Sequence, residues 1–327
     1  MKKIRIGIVG YGNLGKGVLR AVKQQPDMEH TAVFTRRNPE ELQMNDELVD
    51  VLPFDEAINY KNDIDVMILC GGSATDLPEH GPFFASMFNT VDSFDNHADI
   101  PAYFASVDGV SQKSKKTNII SVGWDPGMFS LHRVMMEAIL TEGNTYTFWG
   151  RGLSQGHSDA IRHVDGVKDG VQYTIPSEEI IEKVRKGENP IAAKNERHVR
   201  ACFVVPEVGA DQCAIENTIK TMPHYFLDFD TSVYFITEEE LKRDHAKMPH
   251  GGFVIRSGIT GEENQQMMEY SLSLESNPEF TASVITAYAR AACRLSESGQ
   301  FGAKTVYDVP PGYLSPLSAG ELRRDFL

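Results

Sequence analysis

At 327 residues the chain is longer than the roughly 250–300 at which single cores stop growing, so two domains are expected. With 41% hydrophobic and 24% charged residues and no apolar run near the ~20 that cross a bilayer, it reads as a soluble globular protein, placed in the cytoplasm because nothing at its start resembles a signal peptide. A formal net charge of −14 argues against nucleic acid or an anionic membrane as partner. The four cysteines, Cys70, Cys202, Cys213 and Cys293, have no paired spacing, so buried free thiols are expected and no metal site.

The apolar run Ile4–Val9 leads directly into Gly10-Tyr11-Gly12-Asn13-Leu14-Gly15, and residues 14–24 follow as a helix. A strand turning sharply into a helix aims unpaired N–H groups at a pyrophosphate. Gly10 permits the turn, Gly12 lets the backbone approach the phosphates, and Gly15 lets the helix lie close to the sheet. The next strand, 30–34, ends in Thr35-Arg36-Arg37 where sites for the unphosphorylated cofactor carry an acid. A hydroxyl and two guanidiniums suit a 2′-phosphate, so the sequence favours NADP over NAD; the other reading of the arginines is a solvated loop.

Strands at 64–70, 90–94 and 118–122, with a helix at 100–116, continue the alternation expected of a doubly wound parallel sheet of Rossmann type. Ligands bind beyond the carboxyl ends of such strands. The loop there after Cys70 supplies Gly71, Ser73, Ala74, Thr75 and Asp76, small and polar enough to cover a ribose, or simply an ordinary turn. Asp92 and Phe94, which follow Thr90-Val91, are counted with Cys70 in the cofactor site. Two loops bring carboxylates to the same rim: Asp95, and Asp125 before Pro126. Asp125 alone would suit a turn; together the two acids could handle protons at the nicotinamide.

Past Asp125 the pattern changes to a helix at 130–140, strands at 170–175, 198–205, 231–236, 252–259 and 268–274, and helices at 177–186 and 280–298. This predicts an α+β substrate-binding domain with a mostly antiparallel sheet, of a kind that commonly dimerises. The expected domains are 1–122 for the dinucleotide and 123–299 for substrate and dimerisation, with residues 300–327 free to pack back on the first.

The motifs GYGNLG, FTRR, CGGSATD, DSFDNH, GWDPGM, FWGRGLSQGHSDA, QYTIPSE and MPHGG occur in an order that resembles the meso-diaminopimelate D-dehydrogenase family over nearly the whole chain. The resemblance implies an NADP-dependent oxidoreductase that deaminates the D-centre of meso-2,6-diaminopimelate, giving L-2-amino-6-oxopimelate, hence tetrahydrodipicolinate, with ammonia and NADPH. The reverse direction fixes ammonia for lysine biosynthesis, and a homodimer is implied. On the same basis Asp95 and Asp125 act at the reacting amine, with Trp124 beside them. Gln155 and Asp159 line the substrate pocket, and Thr174, Arg200, His250 and Asn277 bind the far, L-configured end. From residue chemistry alone, Arg200 is a forked donor suited to a carboxylate or a surface-strand arginine, and His250 is a loop histidine. Gly72 and Arg151 stand where the family pattern has Met and Pro. The rival readings are an NADP-dependent reductase of a related aldehyde or imine, and a non-catalytic NADPH sensor.

Overall fold

The first apolar run forms the strand around which a parallel sheet is laid down. A computed structural model describes residues 3–42, 49–223 and 225–327. The chain divides into two compact units, Met1–Leu131 with Pro278–Leu327, and His132–Asn277. The first runs β1 (Ile4–Val9), α1 (Asn13–Lys23), β2 (Met28–Thr35), β3 (Val51–Pro53), β4 (Val66–Leu69), α2 (Leu77–Ala85), β5 (Asn89–Asp92), α3 (Ile100–Ser114), β6 (Thr117–Ile119) and α4 (Met128–Ile139), which reaches into the second unit.

The second contains β7 (Gly143–Trp149), β8 (Gly152–Leu153), α5 (Gln155–Arg162), β9 (Val167–Pro176), α6 (Glu178–Arg185), α7 (Lys194–Arg197), β10 (His198–Pro206), α8 (Gln212–Lys220), β11 (Thr231–Phe235), α9 (Glu238–Asp244), β12 (His250–Thr260) and β13 (Asn264–Leu274). The chain then passes through α10 (Asn277–Glu297) and β14 (Gly302–Lys304).

Among the described residues the first unit holds a seven-stranded sheet in the order β14-β6-β5-β4-β1-β2-β3, every neighbouring pair parallel. Its central strands are apolar on both sides because both faces are covered. On one face Ile6, Ile8 and Val33 pack with Val18 and Val22 of α1 and Ile285, Tyr288 and Leu295 of α10. On the other, Phe34, Met67 and Leu69 pack with Phe84 of α2 and Tyr103 and Val107 of α3. Each such side chain contributes about 1.5–3 kcal/mol. An added Cβ at Gly17 would lie 2.9 Å from the Ala282 methyl, so a glycine is what lets α1 sit against α10. The sequence reading had put residues 280–298 in the second domain; here that helix lies in the core of the first sheet, and β14 pairs with β6 beside it.

The second unit has two sheets among its described residues where one was expected: β11-β10-β9-β8 and β13-β12-β7. The first contains a parallel pair, β10 with β11; the second is antiparallel throughout. Ile161, Cys202, Val204, Ile215 and Phe226 form the core of the four-stranded sheet. Tyr146, Phe148 and Ile255 of the other sheet are covered by Ile181 and Val184 of α6, a helix capped as its Ser-Glu-Glu start suggests. All four cysteines are free; Cys202 is buried and Cys70 and Cys293 are half-buried, but Cys213, contrary to expectation, is exposed at the start of α8, whose buried face carries Ile215 and Ile219. No helix among the described residues is long and apolar enough to cross a membrane.

Candidate active site

In the first unit the glycine turn is built as its spacing suggests. Gly10 has φ +94°, and its N–H donates to Phe34 O at 2.8 Å, joining the turn to β2. A Cβ at Gly15 would fall 2.0 Å from Gly10 O, so only glycine allows α1 to start this close to the turn. A Cβ at Gly12 would meet no protein atom within 4 Å, and Gly12, the N-cap, offers no side-chain acceptor to the helix's first N–H groups. With no acid in the first turn either, those groups and the helix dipole fit a pyrophosphate.

Of the two arginines after β2, Arg37 reaches back to this turn and Arg36 to the loop after β4. Arg37 donates from Nη2 to Tyr11 O and from its backbone N–H to Thr35 Oγ1 at 3.1 Å. Arg36 pairs with Asp76 at 2.5 Å, and Asp76 also accepts from Gly72 N–H at 2.9 Å. Burial works to raise the Asp76 carboxyl, but that N–H and Arg36 together hold it below the ordinary range. The donors fit an NADP phosphate, and Asp76 is the group such a phosphate would displace from Arg36. Cys70 packs against the core, and burial pushes its thiol up to about 12, which keeps it protonated at neutral pH.

Ser73 Oγ accepts from Asp95 N–H at 3.1 Å, tying the loop after β4 to the loop after β5. Asp95 is exposed and Asp125 partly buried. Trp124 is buried edge-on against Phe129, and its carbonyl accepts from Phe129 N–H at 2.8 Å. Two cofactor candidates around the end of β5 point inward: Phe94 stacks on Tyr103 at 4.1 Å, and Asp92 is 1% exposed with both carboxylate oxygens occupied by protein donors.

In the second unit, cross-strand register brings three substrate candidates into one neighbourhood. Gly152, Thr174, Arg200 and Thr231 are successive partners across β8, β9, β10 and β11. The His250 ring packs on Gly152, where a Cβ would lie 2.4 Å from the imidazole. The segment before it is tied down by Leu153 N–H to Pro249 O at 3.0 Å and Asn277 N–H to Met248 O at 3.0 Å. Arg200 donates through Nη1 to Thr174 Oγ1 and lies over the Phe229 ring at 4.1 Å, while its Nε is buried with no partner among the described residues. Burial lowers the guanidinium only to about 10, so it is charged at neutral pH and short of one acceptor.

A pocket beside Arg200 is lined by Trp149, His157, Asn195, His198, Asp228 and Phe229, none of which the sequence reading had named. His157 shares a 2.8 Å hydrogen bond with Ser154, and burial first, then the Arg200 charge, push it down to about 4. His198 accepts from Trp149 N–H through Nε2 at 2.9 Å. Arg200 is thus the cation facing this pocket. Asp159 is exposed and bonded to Arg162 at 3.2 Å; Gln155 opens α5, and its side chain is outside the described ones. The available cues were the FWGRGLSQGHSDA motif, which carries Trp149 and His157, and the aromatic and acidic run 225–230, which carries Phe229 and Asp228.

Residues 123–276 match the family model of the diaminopimelic acid dehydrogenase C-terminal domain. Over its whole length the chain is 61% identical to the whole meso-diaminopimelate D-dehydrogenase of Ureibacillus thermosphaericus. It belongs to the meso-diaminopimelate D-dehydrogenase family. Among solved relatives, the Corynebacterium glutamicum DAP dehydrogenase in complex with DAP superposes with a TM-score of 0.93 at 45% identity, covering all of both chains. An engineered D-amino acid dehydrogenase bound to NADP+ superposes at 0.88 with 43% identity, again across both chains. This family membership settles the fold class: a Rossmann-type parallel sheet with a second α+β domain.

Proposed function

We propose that the chain catalyses the reversible NADP-dependent oxidative deamination of the D-centre of meso-2,6-diaminopimelate, giving L-2-amino-6-oxopimelate, which cyclises to tetrahydrodipicolinate, with release of ammonia and NADPH. Its place is lysine biosynthesis in the cytoplasm, and its working form is a homodimer. The observation that carries the substrate class is Arg200, a buried guanidinium beside the Thr174 hydroxyl whose Nε has no partner among the described residues. Leaving a charged donor buried and unpaired is costly, and a carboxylate on an amino acid's far end completes it. An aldehyde reductase or an NADPH sensor gives no reason for such a group.

NADP, when bound, supplies the two-electron acceptor. The chain's own residues manage the proton and the orientation. Hydride can leave the α-carbon only while the amine is unprotonated, because the nitrogen lone pair forms the C=N bond as the C–H bond breaks. Asp95 and Asp125 accept hydrogen bonds from the D-amine and take its proton directly or through water. One of them then activates the water that adds to the imine carbon, after which the C–N bond breaks and ammonia departs. Thr174, Arg200, His250 and Asn277 hold the L-configured end, so that the D-centre is the one that reacts.

The test is an assay of NADP reduction with meso-, LL- and DD-diaminopimelate and D-alanine, and of NADPH oxidation with and without ammonia. Turnover of the meso isomer but not the LL isomer, with reverse turnover that needs ammonia, is expected. NADPH oxidation that proceeds without ammonia would identify the reductase instead.

A further inference from the structure

Asp92 closes β5, yet its side chain points into the unit rather than outward. Its Oδ1 accepts from Phe94 N–H at 3.0 Å and from Ser121 N–H at 3.0 Å. Its Oδ2 accepts from Tyr103 OH at 2.7 Å, and its backbone carbonyl accepts from Val122 N–H at 2.8 Å. Phe94 immediately precedes Asp95, and Ser121-Val122 opens the loop that reaches Asp125. One carboxylate therefore binds the backbones of both acid-bearing loops. Tyr103 fixes that carboxylate from α3, and its ring stacks on Phe94 at 4.1 Å and 18°. The space is tight, since a Cβ at Gly81 would lie 2.1 Å from the Tyr103 oxygen.

The Ser121 backbone is shaped to this bond. Ser121 has φ +58°, a left-handed conformation that a non-glycine residue adopts at a cost. In that conformation its N–H points to Asp92, while its Oγ is buried with no partner among the described residues. A strained residue and an unsatisfied hydroxyl are tolerated at the point where Asp92 grips the second loop.

We infer that Asp92 is a positioning residue for the deamination: with Tyr103 it clamps the loops of Asp95 and Asp125 at a fixed separation and touches neither substrate nor cofactor. The inference rests on the proposed role of those two acids. A few tenths of an ångström between two proton-handling groups matters to the chemical step and little to cofactor binding.

The experiment compares Asp92→Ala, Asp92→Asn, Tyr103→Phe, Asp95→Asn, Asp125→Asn and the Asp92→Ala/Asp95→Asn double variant, with kcat and KM for diaminopimelate and the Kd of NADPH from its fluorescence. Asp92→Ala should lower kcat by about ten- to a hundredfold with NADPH affinity within about twofold. Asp92→Asn, which keeps an acceptor for both loop N–H groups, should recover most of that loss. The double variant should lose less than the product of the two single losses, because Asp92 acts through the acids. If Asp92→Ala does not fold, Tyr103→Phe carries the test, with a several-fold loss of kcat at unchanged NADPH affinity. A tenfold weaker NADPH Kd in either variant with kcat unchanged would make Asp92 a cofactor ligand and overturn the clamp, as would losses that multiply fully. If Asp95→Asn and Asp125→Asn themselves keep full turnover, the acid-pair reading falls and takes the clamp with it; if they lose turnover while the Asp92 variants do not, the clamp alone falls.

Discussion

Arg200 owes its character to geometry more than to charge. It stands on a strand between Thr174 and Thr231, sits over the Phe229 ring, and keeps one N–H without an acceptor among the described residues. A planar fork does this and an ammonium does not, so Arg200→Lys should behave much like Arg200→Met. Losing a charged hydrogen bond costs about 1.5–3 kcal/mol, which predicts a KM for diaminopimelate raised about ten- to a hundredfold in either variant. D-Alanine, having no second carboxylate, should be used as well as before or better, and the same direction holds for apolar replacements at Thr174 and His250. Steady-state kinetics with both substrates decide it; an unchanged KM for diaminopimelate in Arg200→Met would remove Arg200 from the site. The residue type and its strand were legible in the sequence. The neighbours were not, because Phe229 and His157 reach Arg200 through strand register and loop folding that spacing does not encode.

At the scale of elements, strands and helices with strong apolar periodicity were readable to within a few residues, as β1 and α3 show. The misses have particular causes. α2 contains Pro82 and Gly81, residues that argue against a helix, and Gly81 is there because Tyr103 leaves no room for a Cβ. Alternation in β7, β12 and β13 tells which side chains share a face but not which strands pair, so two sheets read as one. α10 hides a further element-scale device. Arg290, 1% exposed in the buried face of this helix, donates to both oxygens of Asp27 at 2.6 and 2.7 Å, to Gln25 Oε1 at 2.7 Å and to Leu314 O at 2.6 Å. It ties α10 to the turn before β2 and to the C-terminal segment. Removing one partner of a buried pair costs about 3–5 kcal/mol, so Arg290→Ala should lose that much in urea unfolding at neutral pH. The Arg290 hydrogen bonds, against the opposing effect of burial, hold the Asp27 carboxyl below its ordinary value. A depressed carboxyl stabilises the fold above its unfolded pKa and loses that contribution as pH falls through the folded value, so the gap between parent and variant should narrow in acid. A gap that stayed constant from pH 7 to pH 3 would show that the pair is not what stabilises this corner.

For the molecule as a whole, the order of a Rossmann sheet followed by an α+β segment was written in the alternation of the chain, and so was the return of residues 300–327 to the first unit, whereas the place of residues 278–299 in that unit was not. A helix records which of its faces is apolar, not whose core receives it. The working assembly is argued from what α4 leaves uncovered. His132 stacks on Tyr270 at 3.6 Å, and Arg256 reaches Leu140 O from β12 at 2.5 Å, so this helix covers one face of the β13-β12-β7 sheet. Val134 (48%), Met135 (47%) and Ile139 (65%) nevertheless stay exposed on this helix. Apolar side chains gathered in this way are the usual mark of an association surface, and a second copy of the chain is the occupant proposed here. Light scattering of the purified protein should give twice the chain mass. Met135→Glu with Ile139→Glu, which buries two carboxylates in that interface, should give the single-chain mass, while Val208→Glu, at an equally apolar but isolated exposed position, should leave the dimer intact. A parent protein that is monomeric at micromolar concentration, or a doubly charged variant that still dimerises, would refute the assignment of α4 as the contact.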